Sequence, residues 1–220
     1  MQLSFHQEFF NAGGRSLKLA FVLDPLDSRR PFVDTGIALM AAAERHGHQV
    51  FAIDAATLGW RRPEPGHPGG IFGEALHVHI RPEEIDWYRE TERHWLPLKY
   101  FDAVILRRDP PFNLEYLNTT WLLERAEADG VRVFNRPRAI RDHSEKLALS
   151  EFPQFTPSTV ISRNLGQLQQ FIDNQRDVVL KPLDPVTDSQ VFRIHRNDPN
   201  RNVILETLTE HGRKTILAQQ

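Results

Sequence analysis

The stretch VILRRDPPFNLEYLNTTWLLERAE, residues 104–127, decides the fold. An apolar run predicts a strand over residues 100–108, and the proline pair that follows ends it. Amphipathic spacing then predicts a helix over residues 113–129, with Gly130 as its C-cap. A buried strand that leads directly into a helix is typical of open α/β sheets.

The segments on either side repeat this order. Residues 17–24 and 48–54 are apolar runs that predict buried strands, and residues 35–46 between them have helical spacing. Residues 131–135 predict a further strand after the second helix. Two β-α-β units in succession predict a small, open α/β domain with a mainly parallel sheet over residues 17–140.

Three segments of this first part have weaker patterns. Residues 1–16 are predicted to be an N-terminal extension, because two glycines end their single amphipathic turn. Residues 59–73 are rich in glycine and proline and predict a loop, whereas residues 74–81 alternate and predict a strand. Residues 83–96 carry tryptophan and tyrosine among charged residues and are interpreted as including a helical turn.

The pattern changes near residue 140, and residues 141–220 predict an α+β block. Its predicted elements are a short helix at 142–152, strands at 156–162, 177–183, 190–196 and 214–220, and a helix at 165–175. Residues 202–211 are interpreted as a continuation of the strand before them. An antiparallel hairpin is predicted around residues 183–190.

The composition of the 220-residue chain excludes several classes of protein. Lys and Arg total 27 against 29 Asp and Glu, so a net charge of −2 argues against nucleic acid or a membrane surface as partner. The absence of cysteine excludes a disulfide framework, a cysteine nucleophile and a thiolate zinc site. No segment has the length and apolarity of a membrane span or the pattern of a signal peptide, so a cytoplasmic location is expected.

Several catalytic and metal motifs are absent from the sequence. The ten histidines show no ligand spacing such as H-E-x-x-H, so no metal site is predicted. Neither a nucleophile elbow nor a P-loop nor a dinucleotide-binding glycine motif occurs.

Charged residues follow two of the predicted parallel strands, at the edge of the sheet where ligands bind in α/β folds. They are Asp24, Arg107, Arg108 and Asp109, with Arg29, Arg30 and Asp34 in the loop after the first strand. One interpretation is a cleft that binds a small polar or peptide ligand. The other is that the prolines merely end the strands and the charges pair with one another. The residues alone favour neither.

Several segments together resemble bacterial glutathione synthetase, over roughly residues 17–220. They are FVLDPLDS (21–28), residues 104–127 quoted above, NRPRAIRDHSEKL (135–147), TPSTVISRN (156–164), VVLKPLD (178–184) and ILETLTEHGRKTILAQ (204–219). The resemblance implies a pre-ATP-grasp N-terminal domain followed by the lid-bearing part of an ATP-grasp domain. It also implies a reaction in which ATP and Mg²⁺ convert the γ-glutamylcysteine carboxylate to an acyl phosphate, which the glycine amine attacks.

The same resemblance implies a nucleotide site in the second block. Lys181 stands at the end of a predicted strand, where the family lysine binds ATP phosphate, and Lys146 matches a second phosphate lysine. Gln219 and Gln220 stand where the family chain passes the adenine. The alternative is that Lys181 simply reaches solvent from a strand end and that Lys146 is an exposed helical lysine.

The chain departs from the family at the glycine-rich loop that closes over the phosphates. Here the loop contains Pro185, Val186, Thr187 and Asp188 and no glycine. Proline lacks an N–H, β-branched residues resist positive φ, and the carboxylate of Asp188 would repel a polyphosphate. We therefore expect a degenerate phosphate loop.

A second departure is that the family's third domain, which supplies the magnesium ligands, is not expected in a chain that ends at Gln220. The terminal strand ILAQQ is expected to have lost neighbours. Exposed apolar surface of that kind favours association, so a homo-oligomer or a complex with a partner protein is predicted.

Three hypotheses for function remain. The first is a noncatalytic, truncated glutathione synthetase-like protein that binds a nucleotide, a γ-glutamyl peptide or another protein and has no catalytic residue of its own. The alternative is glutathione synthetase itself, or a related ATP-grasp ligase, completed by a missing or separately encoded C-terminal domain. The third is a fold remnant without a ligand.

Overall fold

The structure is a computed structural model that describes residues 15–66, 69–183 and 191–220. The chain divides into two compact units. The N-terminal unit runs to Asp109 and includes Asn118–Pro137, and the C-terminal unit comprises Pro110–Leu117 and Arg138–Gln220. The predicted extension at residues 1–16 falls almost wholly outside the described residues, and the predicted domain boundary near residue 140 stays a prediction.

The N-terminal unit is built on a seven-stranded sheet. Its strands are β1 (Lys18–Leu23), β2 (Gln49–Asp54), β3 (Gly59–Arg61), β4 (Gly70–Ile80), β5 (Tyr88–Pro97), β6 (Ala103–Leu106) and β7 (Val133–Phe134). The order is β3-β4-β2-β1-β6-β7, with β5 alongside β4. The parallel pairs are β1 with β2, β1 with β6, and β6 with β7, whereas β4 is antiparallel to β2, β3 and β5. The α/β class is therefore confirmed.

Helix α1 (Thr35–Arg45) belongs to the N-terminal unit, whereas α2 (Leu114–Ala128) has its first residues in the C-terminal unit and α3 (Pro137–Asp142) lies in the C-terminal unit from Arg138 onward. Helix α1 packs on the sheet through Ile37 and Met40, which are both fully buried. Their partners in the core include Phe21, Leu23 and Ile80. Burying a side chain of this size stabilises the fold by about 1.5–3 kcal/mol, so this packing fixes the start of α1 against the sheet.

Two local predictions in the N-terminal unit are wrong. The loop predicted at residues 59–73 contains β3 and the start of β4, and the helical turn predicted at residues 83–96 is replaced by β5. The charged side chains of β5 are exposed because this strand lies at an edge of the sheet, where charge prevents unwanted pairing. Trp87, which suggested a helix, packs instead in the sheet core.

The hydroxyl of Tyr88 ties β5 to the loop after β1, since it donates a hydrogen bond of 2.5 Å to the Asp27 carboxylate. That bond, together with partial burial, raises the pKa of Tyr88 to about 12. In an ultraviolet titration of tyrosinate we expect one tyrosine to ionise near that pH. In Asp27→Ala its midpoint should fall towards about 10, the value of an unperturbed tyrosine. An unchanged midpoint in the variant would contradict the assignment.

The C-terminal unit contains a four-stranded sheet in the order β10-β9-β11-β8, with every neighbouring pair antiparallel. Its elements are β8 (Thr159–Ser162), α4 (Leu165–Asn174), β9 (Asp177–Pro182), β10 (Phe192–His195), α5 (Arg201–Leu208) and β11 (Ile216–Gln219). Leu168 and Ile172 of α4 pack with Leu205 of α5 over one face of the sheet. The pairing of β9 with β10 confirms the predicted antiparallel hairpin.

Three expectations for the C-terminal unit are wrong. Residues 202–211 form α5 rather than strand, because Leu205 and Leu208 then bury on one helix face. The helix predicted at 142–152 is replaced by short 3₁₀ turns, since Pro153 disfavours helical backbone at the residue before it.

The third concerns the terminal strand, which does not lack neighbours. Strand β11 pairs with β8 on one side and β9 on the other, and Ile216, Leu217 and Ala218 are buried. The predicted association with a partner therefore loses this support and stays a prediction. No helix among the described residues has the length and apolar character needed to cross a membrane.

Candidate functional site

A charged cleft lies at the carboxyl ends of β1 and β6 in the N-terminal unit. The two strands are parallel neighbours in which Val22 is level with Leu106. The next amide along, that of Arg107, donates to the carbonyl of Val22 at 2.7 Å. The residues that follow the two strands are thereby brought together, as the sequence predicted.

Arg29 is the centre of this cluster, and its side chain is only 2% exposed. Its Nε donates to Asp34 Oδ2 at 2.6 Å. Its two Nη atoms lie 3.7 Å from Asp24 Oδ2 and 3.4 Å from Asp109 Oδ2. Nη1 is buried and has no hydrogen-bond partner among the described residues. One guanidinium thus lies within ion-pair distance of three carboxylates at the carboxyl ends of the strands.

Asp34 connects this cluster to α1. Its Oδ1 accepts hydrogen bonds from the amides of Gly36 (2.7 Å) and Ile37 (3.2 Å), so the residue is the N-cap of the helix. Burial raises the pKa of Asp34, but the bonds from Arg29 and the two amides outweigh it and hold the pKa below its usual value. Asp34 is therefore a carboxylate at neutral pH.

Asp24 and Arg108 organise the loops rather than line the opening. Asp24 Oδ1 is 3.3 Å from Arg108 Nε, and Asp24 Oδ2 accepts the amide hydrogen bond of Asp109 at 3.0 Å. Arg108 also donates to the Thr119 hydroxyl at 2.9 Å. For these two residues the charges pair with one another, as the second interpretation of the sequence proposed.

Arg107 and Arg30 carry the positive charge that the cluster leaves for a ligand. Arg107 donates to the hydroxyl of Thr35, while its buried Nε has no hydrogen-bond partner among the described residues. The cleft has a volume of about 310 Å³. Its lining residues are Ser28, Arg29, Arg30, Val33, Asp34, Thr35, Arg107 and Asp109.

Thr35 lines this cleft and accepts a hydrogen bond from Arg107, although it was not among the residues predicted from the sequence. The signal for it was present, because a Thr directly after an Asp N-cap stands in the first turn of the helix that follows the strand. A helix start after a parallel strand lies at the ligand-binding edge of the sheet.

In the C-terminal unit the structure brings the two predicted phosphate lysines to the same place. Lys181 is near the end of β9, level with Leu217 of β11. The Lys146 amine donates to the carbonyl of Pro182, the residue after Lys181, at 2.7 Å. Lys146 therefore contacts the backbone directly next to Lys181, at the C-terminal end of β9.

Gln219 shares a sheet face with Lys181. In the register, Lys181 is opposite Leu217, and Gln219 is two residues further along β11. Its amide donates to the Thr159 hydroxyl at 3.2 Å, and the backbone amide of Gln220 donates to the carbonyl of Ser158 at 2.9 Å. This face is opposite to the one that α4 and α5 cover, because Leu180 and Ala218 point to the helices.

The remaining predicted site residues, Pro185, Val186, Thr187 and Asp188, lie outside the described residues. Within the part of the chain that the structure describes, no group of three or more His, Asp or Glu side chains is placed to hold a metal ion. The two lysines have the charge that phosphate oxygens require, and Mg²⁺ is usually held by one or two carboxylates together with the phosphates of the substrate.

Comparison with known families divides the chain into two matched segments. Residues 17–141 match the family described as prokaryotic glutathione synthetase, N-terminal domain. Residues 145–220 match the family described as prokaryotic glutathione synthetase, ATP-grasp domain.

Similar proteins of known name are glutathione synthetases. The one from Nitrosomonas europaea is 43% identical over 206 residues, which covers 93% of this chain and 63% of that protein. The one from Ralstonia nicotianae is 38% identical over 209 residues, covering 93% of this chain and 61% of that protein. The chain therefore spans less than two thirds of the length of these relatives.

Solved structures with a similar fold are more distant in sequence. A RimK domain protein ATP-grasp from Sphaerobacter thermophilus superposes with a TM-score of 0.53 at 20% identity, over 92% of this chain and 63% of that one. D-alanyl-alanine synthetase A from Vibrio cholerae gives 0.52 at 11% identity, over 94% of this chain and 60% of that one. These likenesses show an ATP-grasp-type fold.

Proposed function

The chain belongs to the prokaryotic glutathione synthetase family, and we propose that it binds ATP and γ-glutamylcysteine for the ATP-dependent joining of γ-glutamylcysteine to glycine. The observation that carries this proposal is the cleft at the carboxyl ends of β1 and β6, which offers cationic groups to an acidic peptide. The two family matches and the similarity to glutathione synthetases favour this ligase over the noncatalytic hypothesis.

The charges of the cleft match those of γ-glutamylcysteine, which carries two carboxylates and one amine at neutral pH. The buried Nε of Arg107 is a donor without a partner among the described residues, and Arg30 is exposed beside it. A guanidinium binds a carboxylate through two parallel hydrogen bonds, which a lysine does not offer. The Asp109 carboxylate, 65% exposed, is then a partner for the amine of the substrate.

Lys146 and Lys181 are proposed to hold the phosphates of ATP in the C-terminal unit. An ammonium group has three N–H donors, so each lysine can still donate to a phosphate oxygen, and two such groups neutralise part of the polyphosphate charge. The side chain of Gln219, on the same sheet face as Lys181, is proposed to lie near the nucleotide base. ATP, when bound, supplies the phosphoryl group that activates the substrate carboxylate.

The substrate proposal is tested by calorimetric titration of the protein with γ-glutamylcysteine and with its doubly amidated analogue. We expect saturable binding of the acid and at least tenfold weaker binding of the amide, because hydrogen bonds between charged groups contribute about 1.5–3 kcal/mol each. Arg107→Met should weaken binding of the acid to a similar degree. Arg132→Met is the matched control. Arg132 is exposed and lies just before β7, so it is at the end of the sheet where the parallel strands begin, away from the cleft.

Equal affinity for the acid and the amide, or an equal loss in Arg107→Met and Arg132→Met, would contradict this use of the cleft. Both outcomes are independent of the nucleotide site.

The second candidate function is a noncatalytic binding protein, and the composition of residues 184–190 favours it. DPVTDSQ contains no glycine, and it contains a proline where a phosphate loop needs free backbone N–H groups. Release of ADP and phosphate in the presence of γ-glutamylcysteine and glycine distinguishes the two. Substrate binding with no release would favour the binding protein.

A further inference from the structure

Two exposed arginines face each other at the end of the β9–β10 hairpin that is remote from Lys181. The register pairs His195 with Asp177. The next hydrogen bond along, from the amide of Arg196 to the carbonyl of Arg176 at 3.3 Å, makes these two arginines cross-strand neighbours. Like charges directly opposite each other in an antiparallel pair destabilise the sheet. An anion bound between the two guanidinium groups would relieve this repulsion.

The carboxylates near this pair contact other side chains. Asp177 pairs with Arg193 at 3.3 Å and with His195 at 2.5 Å. Asp173, in the last turn of α4, pairs with Arg201 at 2.6 Å. Among residues 15–66, 69–183 and 191–220, no carboxylate lies within ion-pair distance of the guanidinium of Arg176 or Arg196.

The C-terminal end of α4 stabilises the positive charge of only one of the two arginines. Helix α4 ends at Asn174, and a cation just beyond a helix C-terminus is stabilised by the partial negative charge of the last carbonyls. Arg176 benefits from this effect. Arg196 lies directly opposite on the other strand, where no helix end among the described residues stabilises its charge, and it repels Arg176.

An opening of about 430 Å³ lies at the arginine pair. Its lining residues are Asn174, Gln175, Arg176, Asp177, His195, Arg196 and Asn197. The three amide side chains add neutral donors around the two guanidinium groups. The volume is ample for a small tetrahedral anion that contacts both arginines.

We propose that the opposed arginines Arg176 and Arg196 form a binding site for a phosphate-type oxyanion. A phosphate group carries about −1.5 to −2 charges at neutral pH and so matches two guanidinium groups. Its tetrahedral oxygens accept from two guanidinium forks at once, whereas a single carboxylate is saturated by one. The proposal names the phosphate group, either as the free ion or as a monoester.

This site is separate from the proposed nucleotide site along the same strand. Arg176 and Lys181 are five residues apart. At about 3.3 Å per residue, that separation is about 16 Å. A phosphate held by the arginine pair is therefore outside the direct reach of Lys181, and variants at the two positions report on different sites.

The test is a titration of the 220-residue protein with inorganic phosphate and with glycerol 3-phosphate, at fixed ionic strength, followed by calorimetry and by the thermal midpoint. We expect saturable binding that is weakened about tenfold in Arg176→Gln and in Arg196→Gln. Lys214→Gln is the matched control, because Lys214 is in the same unit, is largely exposed and is paired with Glu210. Lys181→Ala should bind phosphate as the unchanged protein does.

The repulsion between the arginines gives a second readout. Without phosphate, Arg196→Gln should have a thermal midpoint slightly above that of the unchanged protein, and phosphate should no longer raise it. Preference for glycerol 3-phosphate would identify a monoester as the ligand, and preference for the free ion would identify phosphate itself. The absence of saturable binding of either compound, or equal losses in Arg176→Gln and Lys214→Gln, would overturn the proposal.

Discussion

Replacing Arg29 with methionine is expected to lower the free energy of unfolding of the N-terminal unit by about 3–5 kcal/mol, the cost of breaking a buried ion pair. Methionine replaces the aliphatic part of the arginine side chain, so the change removes the guanidinium group with its charge and its hydrogen bonds. It leaves Asp34, whose side chain is 10% exposed, without the partner 2.6 Å away. Asp24 and Asp109 also lose their shared cation.

Urea denaturation of Arg29→Met and of Arg30→Met measures this effect. Arg30 is adjacent in sequence and exposed, so its replacement should change the stability by no more than about 0.5 kcal/mol. Because the folded-state pKa of Asp34 is depressed, its contribution is present above the unfolded pKa of about 3.9 and is lost as the pH falls through the folded value. The difference between the unchanged protein and Arg29→Met should therefore shrink below about pH 4.

Similar stability of the two variants at pH 7 would show that Arg29 does not hold the cluster together. A loss in Arg29→Met that is independent of pH would show that packing, rather than the ion pair with Asp34, stabilises this edge of the sheet.

The sequence predicted where these charged residues lie, although not that they form a cleft, because their position depends on local pattern. Apolar runs at residues 17–24 and 100–108 define two buried strands, and the parallel arrangement brings their carboxyl ends together. The sequence could not predict which side chains pair within the cleft, because the contact of Arg29 with Asp34 depends on the path of the connecting loop. The path of the loop also decides that Arg108 is paired, whereas the Nε of Arg107 has no hydrogen-bond partner among the described residues.

The local errors have a common physical origin, which is that tertiary contacts override local pattern. Strand β5 consists largely of charged residues and forms only because β4 offers a partner along its whole length. Helix α5 was interpreted as strand because ILETL is apolar enough for either structure, and burial of Leu205 and Leu208 on one side decides for helix. Terminal strand β11 is an interior strand, although its position at the end of the sequence suggested an edge.

Replacing Lys181 with alanine is expected to weaken the binding of Mg·ATP by at least tenfold. The ammonium of Lys181 is proposed to contact the phosphates at the end of β9, where Lys146 reaches the carbonyl of Pro182. Each charge-assisted hydrogen bond to phosphate contributes about 1.5–3 kcal/mol, so loss of one ammonium lowers affinity by a factor of ten or more. Replacing both lysines should have a larger effect than either single change.

Lys214→Ala is the matched control, which separates a loss at the proposed site from a general effect of removing a lysine. Lys214 lies in the same unit, is largely exposed, and pairs with Glu210 at 2.6 Å. Lys214→Ala removes the same charge from the unit without touching the proposed site. Its affinity for Mg·ATP should therefore equal that of the unchanged protein.

Calorimetric titration of the 220-residue protein with Mg·ATP, alongside Lys181→Ala and Lys214→Ala, tests most directly whether this member of the family binds nucleotide. We expect saturable binding in the micromolar range for the unchanged protein and for Lys214→Ala, with a loss of at least tenfold in Lys181→Ala. No saturable heat up to millimolar ATP, or equal affinity in all three proteins, would contradict nucleotide binding at Lys181.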